Sequence, residues 1–217
     1  MTALSLEISF IALIPLFLAV GFLMGSIPFG LLISKFVFGV DLRQHGSGNI
    51  GAANAMRTIG RGGAIATLLL DAGKGYLPVF LFLHLFGLLS AMLAGGAATL
   101  GHCFTPWLRF RGGKGVATLL GTVLALSPLT ALGCVAIYLV CLAVTRVSAI
   151  GSLCGGAFGA IGLTLAYGWP GAAYGILGFL LLLYTHRANI ARLREGKEHV
   201  FRRERSRAHQ HDPARRR

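Results

Sequence analysis

Long apolar runs follow one another through this chain with only short turns between them, and that pattern leaves little choice of fold. A run of about 20 apolar residues reads as a membrane-spanning helix. The runs predict helices at about Ile8–Phe38, Ala64–Phe86, Leu88–Phe104, Val116–Leu126, a fifth ending at Val144, Ala149–Ala166, and Gly171–His186. The first is interrupted by Gly25-Ser26-Ile27-Pro28-Phe29-Gly30, which should kink or loosen it. The fourth is short unless it begins in the preceding loop. Ser127-Pro128 and Tyr167-Gly168-Trp169-Pro170 read as turns. No internal repeat is evident. The expected fold is an all-α integral membrane protein with seven transmembrane helices.

Charge then orients the bundle. Only 12% of the residues are charged, where a soluble domain has about 25%. Lys and Arg total 20 against 7 Asp and Glu, yet nucleic acid is not the implied partner. The cations lie in loops and in the tail, not on a polar domain face. With the C-terminus in the cytoplasm, Lys35, the Gly39–Gly63 loop, the Thr105–Gly115 loop, the Thr145–Ser148 turn and the tail share one side. Those regions hold every Lys and Arg except Lys74. The opposite turns, near Gly87, Pro128 and Gly168, hold none, so the positive-inside rule puts the N-terminus outside and the C-terminus in the cytoplasm. The N-terminus does not read as a typical signal peptide, since Glu7 and no cation precede the first run. Cys103, Cys134, Cys141 and Cys154 lack CxxC spacing and read as buried small residues.

The segment Phe110-Arg111-Gly112-Gly113-Lys114-Gly115 sets two cations among three glycines. Glycine lets backbone N–H groups approach a ligand, and a cation beside them makes an anion site. The plainer reading is a basic membrane-flanking turn. It is not a Walker A loop, because Leu108 and Gly115 stand where that motif needs Gly and Ser or Thr. Gly46, Gly48 and Gly51, with Asp71 twenty residues on, imitate a dinucleotide fingerprint. A membrane helix rather than a strand precedes them, and Asp71 sits in an apolar helix. A second anion loop fits better. Ser47, Asn49 and Asn54 offer polar side chains, and Arg57 offers a fork for phosphate.

Asp71 and Lys74 stand three residues apart within an apolar helix, and charges there pair or face a polar cavity. An internal ion pair bracing the site is the expected arrangement. His102 is placed either to anchor the glycine loop or to touch substrate, and His84 reads as interfacial. Ser148 and Ser152 could cap the sixth helix or reach a substrate oxygen. His186 and Asn189 share a face at the end of the seventh helix, as a base or phosphate ligand and a hydrogen bonder. The division is a seven-helix domain over residues 1–198 and a basic, disordered cytoplasmic tail over 199–217. His209 and His211 in that tail are weak metal candidates.

These segments, in this order, resemble the bacterial acyl-phosphate-dependent glycerol-3-phosphate acyltransferase family (PlsY). The resemblance rests on Gly25–Gly30, Asp41–Asn54 with Arg57, Asp71 with Lys74-Gly75, Gly101-His102 through Gly112-Gly113-Lys114-Gly115-Val116-Ala117-Thr118, and His186-Arg187-Ala188-Asn189-Ile190 through Gly196. It implies a multi-pass enzyme of the bacterial inner membrane with its site on the cytoplasmic side. Such an enzyme moves the acyl group of acyl phosphate to the sn-1 hydroxyl of glycerol 3-phosphate, releasing lysophosphatidic acid and phosphate in the first step of phospholipid synthesis. Carried over by position, Ser47, Arg57, Lys114, His186 and Asn189 are the implied catalytic set. Ser152 is carried over with them as a substrate-binding residue; the residues' own chemistry adds Asn49, Asn54, His102, Gly112, Gly113 and Gly115 as expected substrate-binding residues, with Asp71 and Lys74 as support. Arg146-Val147-Ser148-Ala149 departs from the family's usual order, so Ser148 rivals Ser152; Ala53 replaces a common Thr.

The expected partners are the two phosphorylated substrates, the bilayer and a soluble enzyme that forms acyl phosphate. No metal or cofactor is called for, because an acyl phosphate already carries a good leaving group and needs chiefly positioning and charge stabilisation. The residues five after His45, His84, His102 and His186 are Ile50, Leu89, Trp107 and Ala191, so the His-x-x-x-x-Asp pair of thioester-dependent glycerolipid acyltransferases is lacking there. A transporter of phosphorylated anions would need access from both sides, and the outer half offers no polar segment to match the inner loops.

Overall fold

The structure, a computed structural model, describes residues 3–201, and side chains from residue 10 onward. Residues 202–217, with His209 and His211, lie outside that range. The described chain is helical and contains no strand. Its helices are α1 (Ala3–Ser26), α2 (Phe29–Phe36), α3 (Ala52–Thr58), α4 (Gly60–Phe86), α5 (Leu88–Cys103), α6 (Val116–Leu126), α7 (Pro128–Thr145), α8 (Ser148–Thr185) and α9 (Arg187–Arg194). Among the described residues, five stretches are long and apolar enough to cross a membrane: Phe10–Phe36, Gly60–Phe86, Leu88–Leu108, Pro128–Thr145 and Ser148–Thr185. The helix α6, at 11 residues, is shorter.

Within the 38 residues of α8 the backbone reverses at Gly168 (φ 60°, ψ −135°). Beyond it, Gly171 backs onto Leu163, Gly175 onto Ala160, and Leu182 onto Gly156. Rising numbers meet falling ones, so α8 is two antiparallel arms around the Tyr167–Pro170 turn. Glycine permits both the positive φ and the close approach. The same small-residue logic joins α1 to α5, where a methyl on Gly25 would strike the backbone of Ala98, and α4 to α6, where one on Gly75 would strike the Thr118 carbonyl. A core of Val79, Met92, Val123, Leu126 and Leu163 fills the space between α4, α5, α6 and α8. Large apolar side chains such as Leu129, Val144 and Leu165 face outward, as they do on a surface that meets lipid rather than water.

Four expectations are corrected. The Gly39–Gly63 segment is not all loop, for it contains α3 and the first turn of α4. The last helix does not run through His186; the chain bends there (φ −93°, ψ 4°), and α9 starts afresh at Arg187. Neither Ser148 nor Ser152 caps α8, because Val147 holds the cap position and Ser152 Oγ donates to the Ser148 carbonyl at 2.9 Å. Cys154 is exposed, while Cys103 and Cys134 are buried.

The break between α1 and α2 frees carbonyls that a continuous helix would satisfy. Thr105 Oγ1 donates to the Ser26 carbonyl at 2.6 Å, and Lys74 Nζ to the Ile27 carbonyl at 2.7 Å. Trp107 Nε1 adds a bond to Ser26 Oγ at 2.9 Å. Lys74 also pairs with Asp71 Oδ1 at 2.6 Å, and His102 Nδ1 lies 3.6 Å from that oxygen. Lys74 thus ties the broken helix to α4, and Asp71 carries the tie on to α5.

Candidate functional site

A cavity of about 1240 Å³ opens where the polar loops converge and continues between the helices. Its mouth is lined by Ser47, Asn49, Arg57, Lys114, Ser148, Ser152, His186, Asn189 and Glu198. Its deeper wall is apolar or glycine, including Leu120, Val123, Gly155, Gly159, Leu163 and Gly175.

Asn54 builds the first loop. It is 1% exposed, and its amide oxygen accepts from the Ser47 N–H at 2.9 Å. Its amide nitrogen donates to the carbonyls of Leu42, His45 and Asn49. Asn54, expected to bind substrate, therefore holds the loop in shape with its side chain already engaged. Gly46 (φ +59°) lies against the Asn54 oxygen and leaves no room for a Cβ. Asn49 Oδ1 closes a turn with the Gly51 N–H at 2.9 Å. Asp41 accepts from the Arg43 N–H and pairs with Arg43 and Lys35, and Arg43 above all holds its carboxyl well below the usual range.

The second loop returns along the end of α5. The Gly112 and Gly113 N–H groups donate to the carbonyls of Cys103 and His102 at 3.0 and 3.1 Å. A Cβ on Gly112 would strike the His102 carbonyl, and one on Gly113 the His102 ring. His102 is 4% exposed beneath this loop. Its ring backs onto Gly113, the geometry of an anchor for the loop, and it also lines the cavity. Gly112 and Gly113 shape the cavity wall from behind, while Lys114 and Gly115 line it. Gly115 (φ +84°) then turns the chain into α6.

Lys114 Nζ donates to Asn189 Oδ1 at 2.5 Å, and Thr185 Oγ1 holds the Lys114 carbonyl at 3.0 Å. Asn189 Nδ2 donates to Glu198 Oε1 at 2.8 Å, and Arg192 Nε to Glu198 Oε2 at 2.9 Å. Burial pulls the Lys114 ammonium down to about 8; Glu198 resists that shift, while Arg192 and Arg57 add to it. Burial works to raise the Glu198 carboxyl, but Arg192 and Asn189 outweigh it and hold it below the ordinary range. Burial also lowers the Arg57 guanidinium, against Glu198, which resists the shift, and the group stays charged.

His186 is 2% exposed and its Nδ1 lies 2.9 Å from the Leu182 carbonyl. A carbonyl only accepts, so Nδ1 carries the proton and Nε2 keeps its lone pair. Burial first and Lys114 second push its pKa down to about 4, so the ring is neutral at neutral pH.

The structure thus brings Ser47, Arg57, Lys114, Ser152, His186 and Asn189 to one cavity. Ser148 joins them, with its hydroxyl 2.9 Å from Tyr138 OH. Glu198, Arg192 and Tyr138 were missed from sequence. Glu198 follows the last helix beside Glu195, and nothing in their order separates a carboxylate that turns inward from one that pairs with Lys197 on the surface. Among the described residues no cluster of His, Cys, Asp and Glu could hold a metal ion.

Comparison with known proteins matches residues 15–196 to the family profile of glycerol-3-phosphate acyltransferase. The chain is similar to the glycerol-3-phosphate acyltransferases of Anaeromyxobacter sp. (strain Fw109-5), 46% identical over 83% of this chain and 92% of that protein, and of Myxococcus xanthus, 46% identical over 83% and 96%. Among solved structures it matches the integral membrane glycerol 3-phosphate acyltransferase PlsY (YgiH) in its glycerol 3-phosphate form, with a TM-score of 0.83 and 36% identity over 87% of this chain and 96% of that one. The lysophosphatidic acid form of PlsY matches with a TM-score of 0.81 and 34% identity, over 87% and 95%.

Proposed function

Because this chain belongs to the glycerol-3-phosphate acyltransferase family and is an acyltransferase, we propose that it transfers the acyl group of acyl phosphate to the sn-1 hydroxyl of glycerol 3-phosphate. The products are lysophosphatidic acid and phosphate, in the first step of phospholipid synthesis. The observation that carries this reading is a single cavity whose cationic mouth continues into an apolar bore. A phosphorylated head with an acyl tail has the same division. PlsY has been solved in forms named for glycerol 3-phosphate and for lysophosphatidic acid, which are this substrate and this product.

Lys114 and Arg57 bind substrate phosphates, and the N-terminal N–H groups of α6 add a favourable dipole. Ser47 and Asn189 orient them. The glycerol hydroxyl oxygen attacks the acyl carbonyl carbon, the bond from that carbon to the phosphate oxygen breaks, and phosphate leaves. His186 Nε2 accepts a hydrogen bond from the attacking hydroxyl and aims it. A ring held near 4 is a weak proton sink, whereas a phosphate monoester takes a proton near pH 6, so the proton passes to a substrate phosphate oxygen. The acyl chain lies along Val123, Gly155, Gly159 and Leu163, and the reaction uses no metal or cofactor.

Taken with α6, the five long stretches and the second arm of α8 make seven spans. The distribution of Lys and Arg supports an outside N-terminus, a cytoplasmic C-terminus and a site facing the cytoplasm from the inner membrane. A soluble enzyme that makes acyl phosphate would reach the site from that side. Residues 1–198 would form the catalytic domain; residues 199–201, expected in a disordered tail, instead pack against Arg57 and Arg146, and the basic tail follows them. The test is the purified full chain with acyl phosphate and glycerol 3-phosphate, following phosphate release and lysophosphatidic acid together. Both should appear in equal amounts, and absence of product with every acyl donor tried would overturn the assignment.

A further inference from the structure

After α9, Gly196 (φ +67°) turns the chain back across the cavity mouth. The Lys197 N–H bonds the Arg192 carbonyl at 2.8 Å, Glu198 bonds Asn189 and Arg192, and the Phe201 N–H reaches the Arg146 carbonyl at 2.9 Å. The segment therefore bridges α9 and the turn before α8. At its end the Phe201 ring lies under the Arg57 guanidinium, with Arg57 Cζ 4.4 Å from the ring centroid. Arg57 Nη2 faces the His199 carbonyl at 3.5 Å. Residues 197–201 lie beyond the 15–196 stretch matched to the family, so this contact is not contained in the assignment of function.

We infer that Phe201 is a positioning residue that holds the Arg57 guanidinium, through its flat face, in the orientation that binds a substrate phosphate. An aromatic face attracts a guanidinium lying over it and leaves the edge of the fork, with its N–H donors, available for phosphate oxygens. An arginine side chain is otherwise free to sample many rotamers, and fixing it beforehand removes that entropic cost from binding. The ring also keeps water from one side of the cation, which strengthens its attraction for an anion. Gly196 and the bonds of Glu198 to Asn189 and Arg192 set the direction of the segment that brings this ring to Arg57.

The inference rests on the proposed reading that Arg57 meets a substrate phosphate. Its test uses the purified full chain and two readouts, the KM and kcat for glycerol 3-phosphate with acyl phosphate and the calorimetric Kd for glycerol 3-phosphate alone. Phe201→Ala and Phe201→Leu should each raise KM and Kd by about fivefold, the scale of one cation–π contact, with kcat changed less. Phe201→Leu keeps apolar bulk without a π face, so it separates ring electronics from packing and protects the test if Phe201→Ala folds poorly. Phe201→Tyr should return both constants to within about twofold of wild type. In an Arg57→Ala background Phe201→Leu should add nothing further. A Phe201→Leu protein with wild-type KM and Kd, or an undiminished effect of that change when Arg57 is absent, overturns the inference. A wild type that binds glycerol 3-phosphate but forms no product would instead overturn the assigned reaction, and the Kd series would still decide the role of Phe201.

Discussion

Lys74 and Lys114 are both drawn out of water into the same helical bundle, yet their surroundings are built differently. Lys74 is 4% exposed and meets one carboxylate, Asp71, at 2.6 Å and one carbonyl, Ile27, at 2.7 Å. Its charge is matched one for one, and the ammonium joins a broken helix to its neighbour. Lys114 meets a neutral amide, Asn189, at 2.5 Å, with Arg57 and Arg192 nearby and Glu198 as the carboxylate that faces them. Three cations against one carboxylate leave a surplus of positive charge at a cavity mouth. Burial of a charge is thus not itself the mark of a site. The balance of the cluster is, since a matched pair stabilises a fold and a surplus attracts an anion.

The largest effect should come from breaking the matched pair. Lys74→Ala strands Asp71 and frees the Ile27 carbonyl, and removing one partner of a buried pair costs about 3–5 kcal/mol. Thermal unfolding in detergent should show a strongly lowered midpoint or little folded protein. A Lys74→Ala protein of wild-type stability would show that the pair does not hold α1, α2 and α4 together. Lys114→Ala should do the reverse. It should not lower the unfolding midpoint, since it removes a charge that burial disfavours, and should lower kcat/KM by about 2–3 kcal/mol, on the order of a hundredfold, as loss of a charge-assisted contact does. Full turnover with acyl phosphate would remove Lys114 from the reaction.

A pH series sharpens the contrast. Lys114 is charged below about 8 and loses its proton as pH rises through that value. The kcat/KM for glycerol 3-phosphate should therefore fall above about 8, and Lys114→Arg should carry that limb to higher pH. Stability should move the other way. The folded group titrates at about 8 against an ordinary 10.5, so between those values the unfolded chain binds more protons and stability rises with pH. Comparing unfolding midpoints of wild type and Lys114→Gln across this window should show the wild-type deficit shrinking; a constant difference would contradict the burial of that charge.

The smallest effects should fall on the two serines of α8. The hydroxyl of Ser152 already donates to the Ser148 carbonyl, and that of Ser148 shares a bond with Tyr138. Ser148→Ala should change kcat/KM by about 1 kcal/mol or less, the worth of one ordinary hydrogen bond. If Ser152→Ala lowers kcat/KM as far as Lys114→Ala does, the Ser152 hydroxyl leaves its helix to meet substrate and belongs with the surplus cluster.

Much of this contrast was readable from residue order. Asp71 and Lys74 stand three residues apart in an apolar helix, and that spacing alone brings them together. Gly112, Gly113 and Lys114 mark a loop of close backbone approach. Other partners were not readable. The acceptor that completes Lys74 is a carbonyl at the Ile27–Pro28 break, which any chain segment could supply. Asn54 and Asn49 look alike in sequence, yet one scaffolds the loop and the other turns it. The hairpin at Gly168 was legible as a turn because its residues have turn chemistry, whereas the bend at His186 has no glycine or proline to announce it.

Residue order by itself determined the long apolar helices and which loops hold the cations, because hydropathy, glycine content and charge act locally or through the membrane as a solvent. Only the tertiary structure decided that Glu198 closes on Asn189 and Arg192 and that Phe201 lies beneath Arg57. The Phe201 contact joins segments far apart in the chain, the Glu198 contacts depend on how the chain turns back after Gly196, and no local pattern encodes either direction of approach.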